Sequence, residues 1–514
     1  LHPPRLPPRL RTGMMSSHVA TASQHRLGGG ISLARSVCQG MGMGKAIQPS
    51  PSPSLAPPKR RAQLRPMSMQ AVREGSGVAE EVIPRMVTPP PRVPAPASTL
   101  APWARDRDVT WRPNPLESAE DLSSAASRIQ EVITSPTEHC STADALAYLS
   151  HAGVKNVFFS ASGVMAAIPA GIDVQKMYRA RSATRTQQSI ISMFMAELDD
   201  IRAGSLKLPW DINVQHRQFD PLFMLDQTRR LLTVAQETIS RRERKGQTEV
   251  FDTTLEDITA MGSPASPAYP DYYVRNYHFQ TDGWLSMRSA KVYDHQCETL
   301  FTGSQDAMQR QGLVPIHHFV KEKAAEGVTE GELSLLELGG GTGRVLTFIR
   351  DAHPQMRTAL LELSPHYLAE ARSNIEYWAE FTQGGRTRTV PPTAFLHANA
   401  EAIPLADEKL DIVTTTYMFH EIPEEARENV VREAARVLKS GGLFVLVDSA
   451  QAGERDFVDD ETVSKNFTTL YNEPHYPSYY NEFDPVAMAE RNGLVLESRS
   501  IRHATKTLSF RKEG

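Results

Sequence analysis

The carboxyl-terminal part of the chain, residues 333–514, is predicted to fold as an α/β domain with a mostly parallel sheet. Short apolar runs typical of buried strands alternate there with segments whose apolar residues recur at helical spacing. The first apolar run leads directly into four glycines within residues 339–343, which indicates a tight loop between a strand and a helix. Parallel strands joined by right-handed crossovers place a ligand at the carboxyl ends of the central strands.

The first strand and its glycine loop, LSLLELGGGTG, predict a nucleotide-type ligand that carries an ammonium group. The glycines include Gly339, Gly341 and Gly343, and a helix is expected to begin near Arg344. A dinucleotide fingerprint has its third glycine one position later, where this chain has Arg344. Glu337 at the end of the strand would repel a pyrophosphate but would attract the ammonium of an amino-acid moiety, such as that of S-adenosylmethionine.

The second strand, TALLELS, ends in an acidic residue that is suited to a ribose. Glu362 follows the last glycine by about twenty residues and can accept hydrogen bonds from two ribose hydroxyls, although a surface acid at a strand end is the simpler alternative. Ser364 and Pro365 then begin a helix as its cap and first turn. The predicted buried face of that helix consists of Leu368, Ala371, Ile375 and Trp378.

Residues 333–514 resemble the class I S-adenosylmethionine-dependent methyltransferases, because ELGGGTG is similar to the first motif of that family. The resemblance implies a Rossmann-like, seven-stranded, mostly parallel sheet with an antiparallel last strand, and S-adenosylmethionine as the cofactor. The segment NAEAIPLADEKLDIV resembles the family's adenine-binding stretch, in which an acid precedes Ala400. This chain has Asn399 at that position, and its carbonyl can still accept a hydrogen bond from an amino group. Thr416 completes the cofactor contacts that the resemblance implies.

The fourth strand, LDIVTTTYMF, leads into the candidate catalytic residues. His420 and Glu421 lie beside the expected position of the methyl group, and His475 lies in a later insert. A neutral histidine is suited to removing a proton near pH 7 to 8, whereas a histidine at a strand end more often supports its neighbours by hydrogen bonding. Asp448 is a further candidate. No metal site is predicted, since the cysteines at 38, 140 and 297 are too widely spaced for a zinc cluster or a disulfide framework.

The last part of the domain is predicted to contain one helix and three strands. The helix begins at Glu424 and Glu425, has Lys439 in its last turn, and is expected to end at Gly441 and Gly442. The strands that follow are GLFVLVDS, GLVLESRSI at residues 493–501 and ATKTLSF at residues 504–510.

Residues 1–73 are predicted to be an organelle transit peptide. They contain 11 Lys or Arg residues, no Asp or Glu, and many Ser, Ala and Pro residues. This composition is typical of a targeting peptide, and a disordered basic tail would share it. The dominance of Ser, Ala and Pro favours a chloroplast over a mitochondrion. Met14 or Met15 is the expected start of translation, and a processing site is expected near residues 65–72.

Three further regions are predicted before the first core strand. Residues 74–115 form a Pro-rich linker, residues 116–260 form a mainly helical accessory domain, and residues 261–332 form an aromatic-rich segment that covers the active site. A strand is predicted at Val154–Ser160 within the helical domain. The predicted core stripes of its helices are Leu122, Ile129 and Val132; Ile190, Phe194, Leu198 and Ile201; and Leu225, Leu232, Ala235 and Ile239.

Two aromatic clusters are candidate pocket walls, and an aromatic interface between domains is an equally good interpretation of the first. The upstream cluster consists of Tyr272, Tyr273, Tyr277, His278, Trp284 and Tyr293, and the later one of Tyr471, His475, Tyr476, Tyr479, Tyr480 and Phe483. The segments YHFQTDGWLS and NEPHYPSYYNE, which contain parts of these clusters, resemble those of methyltransferase-like proteins of plant, algal and cyanobacterial type.

The charge of the chain excludes some partners. Residues 74–514 contain 45 basic and 60 acidic residues, a net charge of −15 that would repel nucleic-acid backbones.

No apolar run reaches the length needed to span a membrane. The sequence carries no signal for an oligomeric state.

Three functions are compatible with these observations. The favoured function is methyl transfer to a small-molecule acceptor that is aromatic, quinone-like or lipid-like. A protein methyltransferase is the second, since an acidic groove would accept Lys or Arg side chains. A cofactor-binding assembly factor without catalytic activity is the third, because an intact cofactor motif does not establish turnover.

Overall fold

The computed structural model describes nine stretches of the chain: residues 110–112, 122–167, 181–245, 269–274, 278, 283–383, 390–455, 460–470 and 472–514. The predicted transit peptide, Tyr277 and Tyr471 lie outside these residues. None of the described helices combines the length and the apolarity needed to cross a bilayer.

The described elements alternate between helices and strands in the carboxyl-terminal part and are mainly helical before it. The strands are β1 (Thr110–Arg112), β2 (Ser334–Leu338), β3 (Arg357–Glu362), β4 (Ala394–His397), β5 (Leu410–Thr416), β6 (Leu438–Ser449), β7 (Leu494–Arg502) and β8 (Thr505–Lys512). The helices are α1 (Leu122–Thr134), α2 (Thr142–Ala167), α3 (Arg181–Arg202), α4 (Pro221–Lys245), α5 (Met287–Leu300), α6 (Gln305–Arg310), α7 (Leu313–Ala325), α8 (Arg344–Ala352), α9 (Pro365–Gln383), α10 (Glu424–Val437), α11 (Asp460–Leu470), α12 (Tyr476–Asn481) and α13 (Pro485–Arg491).

The strands form one sheet in the order β1-β7-β8-β6-β5-β2-β3-β4. Strand β8 runs antiparallel to both of its neighbours, and the other described pairs are parallel. The predicted α/β class and the seven-stranded sheet with an antiparallel last strand are therefore confirmed for β2 to β8. An eighth strand, β1, pairs with β7 at the sheet edge, and it lies inside the segment predicted to be a Pro-rich linker.

Both faces of the sheet are covered, which explains why the central strands are continuous apolar runs. Leu335 and Ile412 belong to a core cluster that includes α7, α8 and the accessory helices. Leu336 and Val413 point into a second cluster with α10 and α13. Helices α1, α2 and α3 thus share a hydrophobic core with the sheet of residues 333–514.

The segment predicted as a strand at Val154–Ser160 is part of helix α2, so that prediction is wrong. Its β-branched and aromatic residues suggested a strand, but the buried residues Tyr148, Ala152 and Phe159 recur at helical spacing. Val157 is 71% exposed and lies on the opposite side of the helix. Burial at helical spacing has therefore overridden local strand propensity.

The predicted core stripe of α4 is also displaced. Leu225 is 66% exposed, whereas Leu231 and Val234 are buried against Val292 of α5. Two adjacent apolar stripes run along this helix, and the stripe that packs against α5 is not the predicted one. The stripe predicted for α3 is confirmed, since Ile190, Phe194, Leu198 and Ile201 are all buried.

The helix α10 ends at Val437, four residues before the predicted glycine stop. Leu438 is already extended and pairs with Leu410, so Lys439 lies outside the helix. Gly441, with a φ of +72°, lies within β6 near an irregularity in the pairing of β5 with β6. These glycines therefore lie in the irregular first part of β6 and do not cap α10.

A buried ion-pair network connects the helical region before β2 to the glycine loop. Arg344, the first residue of α8, donates to Asp306 of α6 at 3.0 and 2.7 Å and also pairs with Asp211. Asp211 lies in the short turn between α3 and α4 and is fully buried. Arg344, at the position of the third glycine of a dinucleotide site, therefore anchors the loop to this helical region.

Candidate active site

A cleft opens at the carboxyl ends of β2, β3 and β5, with about 1060 Å³ of atom-free space that includes the solvent at its mouth. We call it the strand-end cleft. Seven of the eight predicted cofactor residues line it: Glu337, Gly339, Gly341, Glu362, Asn399, Ala400 and Thr416. The aromatic candidates Tyr272, Tyr273, Trp284 and Tyr293 line it as well. The topology thus brings together side chains that were predicted separately from strand ends.

The glycine loop has a conformation that favours glycine at three positions. Gly339, Gly341 and Gly343 have φ values of +61°, +53° and +72°. A Cβ on Gly341 would meet no atom within 4 Å and would project into open space, whereas one on Gly339 would meet the Met418 sulfur at 2.6 Å. Gly343 packs against Ala371 of α9 and does not line the cleft, so its role there is to let the loop approach that helix.

Glu337 is a buried carboxyl group whose Oε2 atom has no hydrogen-bond partner among the described residues. Burial, together with the nearby charge of Glu362, raises its pKa to about 8. A buried carboxylate without a partner costs free energy in the folded protein unless a cation pairs with it. The ammonium of an amino-acid moiety therefore fits this position, as the sequence predicts.

Glu362 is held in place by three donors. Its Oε2 accepts the backbone N–H of Gly341 at 2.9 Å, and its Oε1 accepts the N–H of Ser364 at 2.8 Å. The hydroxyl of Tyr273 donates to Oε1 at 3.2 Å. These donors favour the charged carboxylate and lower its pKa, but burial has the larger effect and raises the pKa of Glu362. The carboxylate lies on the cleft wall with lone pairs left for further hydroxyl groups, as a ribose contact requires.

Asn399 occupies the predicted adenine position in a constrained turn. Its Oδ1 accepts the N–H of Glu401 at 2.9 Å and retains a second lone pair. Glu401 in turn accepts the hydroxyl of Tyr272 at 2.6 Å, which ties the upstream aromatic segment to this side of the cleft. Ala400 follows on the same wall, and the Thr416 hydroxyl has no hydrogen-bond partner among the residues that the structure describes.

A second pocket, with about 520 Å³ of atom-free space that includes solvent at its mouth, shares Tyr293, Tyr417 and Glu421 with the strand-end cleft. We call it the adjoining chamber. Its apolar walls include Leu300, Phe301 and Phe467. The charged groups that line it are His278, His420, Glu421 and Glu473. The chamber therefore combines aromatic surface with polar and ionisable groups beside the place where the ligand of the cleft would end.

His420 is oriented by Asp448 at the end of β6. Its Nδ1 lies 2.6 Å from Asp448 Oδ1, and Asp448 also accepts the backbone N–H of Phe419 at 2.8 Å. Burial lowers the pKa of His420, but the charges of Asp448, Glu421 and Glu473 outweigh burial and raise it to about 9. The imidazole is thus protonated at pH 7 in this structure, so the neutral form expected for a base requires loss of that proton.

His278 bridges two carboxylates beside His420. Its Nε2 lies 2.8 Å from Glu421 Oε1 and its Nδ1 lies 3.3 Å from Glu473 Oε1. These carboxylates raise the pKa of His278 to about 10 against the effect of burial. Glu473 is a site residue that the sequence analysis missed. It lies in the NEPHYP insert, in which the aromatic residues were the predicted candidates, and no local sequence pattern indicates a role for Glu473.

The backbone is strained around the adjoining chamber. His278, Tyr417 and Asn472 have φ values of +50°, +54° and +59°, in a region that non-glycine residues rarely adopt. Such strain persists where the surrounding structure enforces it, commonly at ligand sites.

The remaining predicted residues fall outside both cavities. His475 lines neither cavity and packs its ring edge-on to Tyr272 at 6.3 Å between centroids. Tyr476 stacks on Phe467 at 3.9 Å and lies 5.8 Å from His420, also between ring centroids. The later aromatic cluster, Tyr476, Tyr479, Tyr480 and Phe483, is buried packing behind the chamber and does not form its surface.

Comparisons with known proteins find similarity to methyltransferases. Residues 336–446 match a family model described as a methyltransferase domain. The uncharacterized methyltransferase YcgJ of Bacillus subtilis is 31% identical over 108 residues, which are 21% of this chain and 38% of that protein. An uncharacterized methyltransferase of Mycobacteroides abscessus is 26% identical over 178 residues, 33% of this chain and 62% of that protein.

A further relative is the ubiquinone/menaquinone biosynthesis C-methyltransferase UbiE of Bartonella henselae, 29% identical over 115 residues, 22% of this chain and 40% of that protein. The chain thus spans less than two thirds of the length of each of these relatives. The crystal structure of YcgJ from Bacillus subtilis aligns with 38% of this chain and 99% of that chain, at 18% identity and a TM-score of 0.28.

The family match covers β2 to β6, the strands whose ends carry Glu337, Glu362, Asn399 and Thr416. The strand order and the antiparallel β8 agree with the fold that the resemblance implies. Residues 336–446 are therefore a methyltransferase domain of the class I, S-adenosylmethionine-dependent family.

Proposed function

We propose that this chain transfers the methyl group of S-adenosylmethionine to a small-molecule acceptor held in the adjoining chamber. The observation that carries the proposal is the buried, unpaired carboxyl of Glu337 beside the open space over Gly341. An ammonium at Glu337, a ribose at Glu362 and an adenine at Asn399 would occupy three successive strand ends along one cleft.

The chamber supports an aromatic, quinone-like or lipid-like acceptor. Tyr293, Phe301, Tyr417 and Phe467 give it aromatic surface beside polar and ionisable side chains, a combination that is typical of small-molecule sites. A relative bears the name of a ubiquinone/menaquinone biosynthesis C-methyltransferase, which favours an acceptor of quinone-like chemistry. A protein side chain as acceptor is the second candidate, and the enclosed aromatic walls favour it less.

The residues of the chain have distinct tasks in this proposal. Bound S-adenosylmethionine supplies an electrophilic methyl carbon, to which an acceptor lone pair bonds as the carbon–sulfur bond breaks and S-adenosylhomocysteine is released. Glu337 and Glu362 fix the cofactor, and the aromatic walls orient the acceptor, which can contribute on the order of 7 to 11 kcal/mol at best. Asp448 orients His420, which accepts the acceptor's proton once its own proton has been lost.

Replacement of His420 by alanine should separate binding from turnover. We expect His420→Ala to lower kcat about 100-fold or more, because a positioned base is lost. The affinity for S-adenosylmethionine should stay within about threefold of wild type, since His420 lies outside the strand-end cleft. His366→Ala, on α9 and outside both cavities, is the matched control. Unchanged kcat in His420→Ala would exclude His420 as the base.

Methyl-labelled cofactor tests the class of acceptor. The purified protein would be incubated with labelled S-adenosylmethionine and an organelle extract, and the small molecules and proteins would then be separated. The proposal predicts label in the small-molecule fraction. Label in the protein fraction would establish the second candidate. Cofactor binding without transfer to either fraction would indicate an assembly factor.

We also propose that the protein works in a plastid, with a mitochondrion as the alternative. The support is the basic, acid-free and Ser-rich composition of residues 1–73. A fluorescent protein fused behind these residues should accumulate in chloroplasts of transfected plant cells. Fluorescence in mitochondria or in the cytosol would contradict the proposal.

A further inference from the structure

The adjoining chamber contains a set of side chains with the chemistry of metal ligands. We define the His–Glu cluster as His278, Glu421 and Glu473, from each of which one ligand atom can be chosen so that all lie within 4.8 Å of one another. We propose that this cluster binds a divalent first-row transition-metal ion. The inference rests on the proposed function only for what the ion would do, since metal binding itself can be measured without turnover.

The cluster has an unsatisfied ligand atom. Glu473 is 1% exposed, and its Oε2 has no hydrogen-bond partner among the described residues; the His420 Nε2 lies 3.9 Å away. A buried carboxylate oxygen without a partner is costly, and an ion coordinated by that oxygen would remove the cost. The other oxygen of Glu473, Oε1, lies 3.3 Å from His278 Nδ1, and Glu473 lines the same chamber as Glu421 and His278.

Carboxylates also outnumber histidines around the chamber. Glu421, Glu473 and Asp448 surround His278 and His420, and all of these side chains are at most 14% exposed. A divalent cation would take the place of the proton on His278 and would carry one more positive charge to the point where the carboxylates meet.

His420 lies beside the cluster without belonging to it. Asp448 holds His420 through Nδ1, and the other ring nitrogen, Nε2, lies 3.6 Å from Glu421 Oε1 and 3.9 Å from Glu473 Oε2. A histidine fixed in this way orients the carboxylates that it faces. The backbone of His278 has a φ of +50°, which non-glycine residues rarely adopt.

The donor set selects the class of ion. Imidazole nitrogen combined with carboxylate oxygen suits Mn²⁺, Fe²⁺ or Zn²⁺, whereas Mg²⁺ and Ca²⁺ are usually bound by oxygen alone. Typical bond lengths of about 2.0 to 2.2 Å to nitrogen and oxygen hold two ligand atoms at most about 4.4 Å apart, so ligand atoms up to 4.8 Å apart would move together by a few tenths of an ångström when the ion binds.

Within the proposed function, the ion would bind the acceptor oxygen. Glu421 lines both cavities, so an oxygen bound at the cluster lies beside the end of the strand-end cleft. The ion would lower the pKa of an acceptor hydroxyl, whose proton would pass to the neutral form of His420. The oxygen lone pair then forms the bond to the methyl carbon, and the electron pair of the breaking carbon–sulfur bond stays on sulfur.

A protonated His278 held between Glu421 and Glu473 without a metal ion would make the same contacts. A titration with metal ions distinguishes these two possibilities. The full-length protein would be treated with a chelator, dialysed, and titrated with Mn²⁺ while free Mn²⁺ is followed by electron paramagnetic resonance. We expect one saturable site per chain, from which Zn²⁺ displaces Mn²⁺. Glu473→Gln should weaken Mn²⁺ binding at least about tenfold.

Glu428→Gln is the matched control, because the Glu428 carboxylate bonds Arg491 and Asn492 on the surface beside α10 and should not affect Mn²⁺ binding. Absence of saturable binding of Mn²⁺ and Zn²⁺ to the wild type would overturn the proposal, whether or not the Glu473 variant folds. Equal affinity of the wild type and Glu473→Gln would exclude this cluster as the site.

Calorimetry with S-adenosylmethionine on the same metal-free samples distinguishes this failure from failure of the proposed function. Cofactor binding without metal binding overturns the metal site and leaves the proposed function intact. Metal binding without cofactor binding overturns the proposed function and supports the metal site.

Discussion

Replacement of Gly341 by valine is expected to abolish binding of S-adenosylmethionine, with a loss of affinity of about 100-fold or more, or roughly 2.7 kcal/mol. The Cβ of a residue at this position would project into the open space of the strand-end cleft, and the two valine methyl groups would extend further into it. The cofactor could then no longer approach the backbone of the loop. Isothermal titration calorimetry of both proteins with S-adenosylmethionine measures the difference.

Gly493→Val is the matched control for backbone strain. Gly493 has a φ of +75°, and a Cβ there would likewise meet no atom within 4 Å, but the residue lies in the turn before β7, away from the cleft. Both variants carry a strain of about 1 to 2 kcal/mol from a left-handed residue with a side chain. We expect only the Gly341 variant to lose the cofactor. Equal affinities of the two variants would show that the loop does not contact it.

Replacement of Glu337 by glutamine is expected to weaken cofactor binding and to stabilise the cofactor-free protein. The amide retains hydrogen bonding but loses the charge opposite the ammonium, which should reduce affinity about 10- to 100-fold. The variant also removes a buried carboxyl whose ionisation opposes folding. Calorimetric titration and thermal unfolding of the same samples measure the two effects, which have opposite signs.

The stabilisation should depend on pH in a defined window. Between the ordinary carboxyl pKa of 4.5 and about 8, folded Glu337 keeps a proton that the unfolded chain has lost. The unfolding free energy of the wild type therefore falls as pH rises through this window, by at most about 5 kcal/mol, whereas Glu337→Gln escapes that loss. The advantage of the variant should be absent below pH 4.5 and complete above about pH 8.

Glu433→Gln supplies the contrasting control. Glu433 is also buried, but its carboxylate pairs with Arg436 at 2.7 Å and accepts the N–H of Ile403 at 2.8 Å. Loss of that charge should destabilise the protein without changing cofactor affinity. Stabilisation of both variants, or destabilisation of Glu337→Gln at pH 8, would contradict the assignment of Glu337 as an unpaired cofactor ligand.

The cofactor side of the site could be predicted from the sequence because its determinants are local. Glu337 and Gly341 lie within one strand and loop, and Glu362 ends the next strand. Each position follows from where a strand stops, and parallel topology then brings the ends together. The sequence also identifies His420 and Glu421 by their place after β5, although not the charges that surround them.

The grouping of side chains at the adjoining chamber could not be predicted, although His278 and Glu421 were separate candidates, because these side chains come from distant segments. His278, Glu421 and Glu473 are far apart in the chain, and none belongs to a short spacing pattern that indicates metal ligands. The raised pKa of His420 likewise depends on Glu473 and Asp448, whose proximity is a property of the fold. Sequence patterns with a local cause were recovered, and those that depend on packing were not.

The errors in secondary structure have the same origin. Val154–Ser160 has strand-forming residues, yet helical burial of Tyr148, Ala152 and Phe159 against the core decides its conformation. Gly441 was expected to end α10, but pairing of Leu438 with Leu410 begins the strand earlier. Long-range packing and pairing prevailed over local propensity in both segments.

Calorimetric titration of the purified full-length chain with S-adenosylmethionine tests the central claim most directly. The claim is that the ammonium lies at Glu337 and the ribose at Glu362, across the carboxyl ends of β2 and β3. We predict saturable binding at one site per chain, with S-adenosylhomocysteine competing for the same site. Absence of saturable binding of either compound would contradict the cofactor assignment and the function proposed from it.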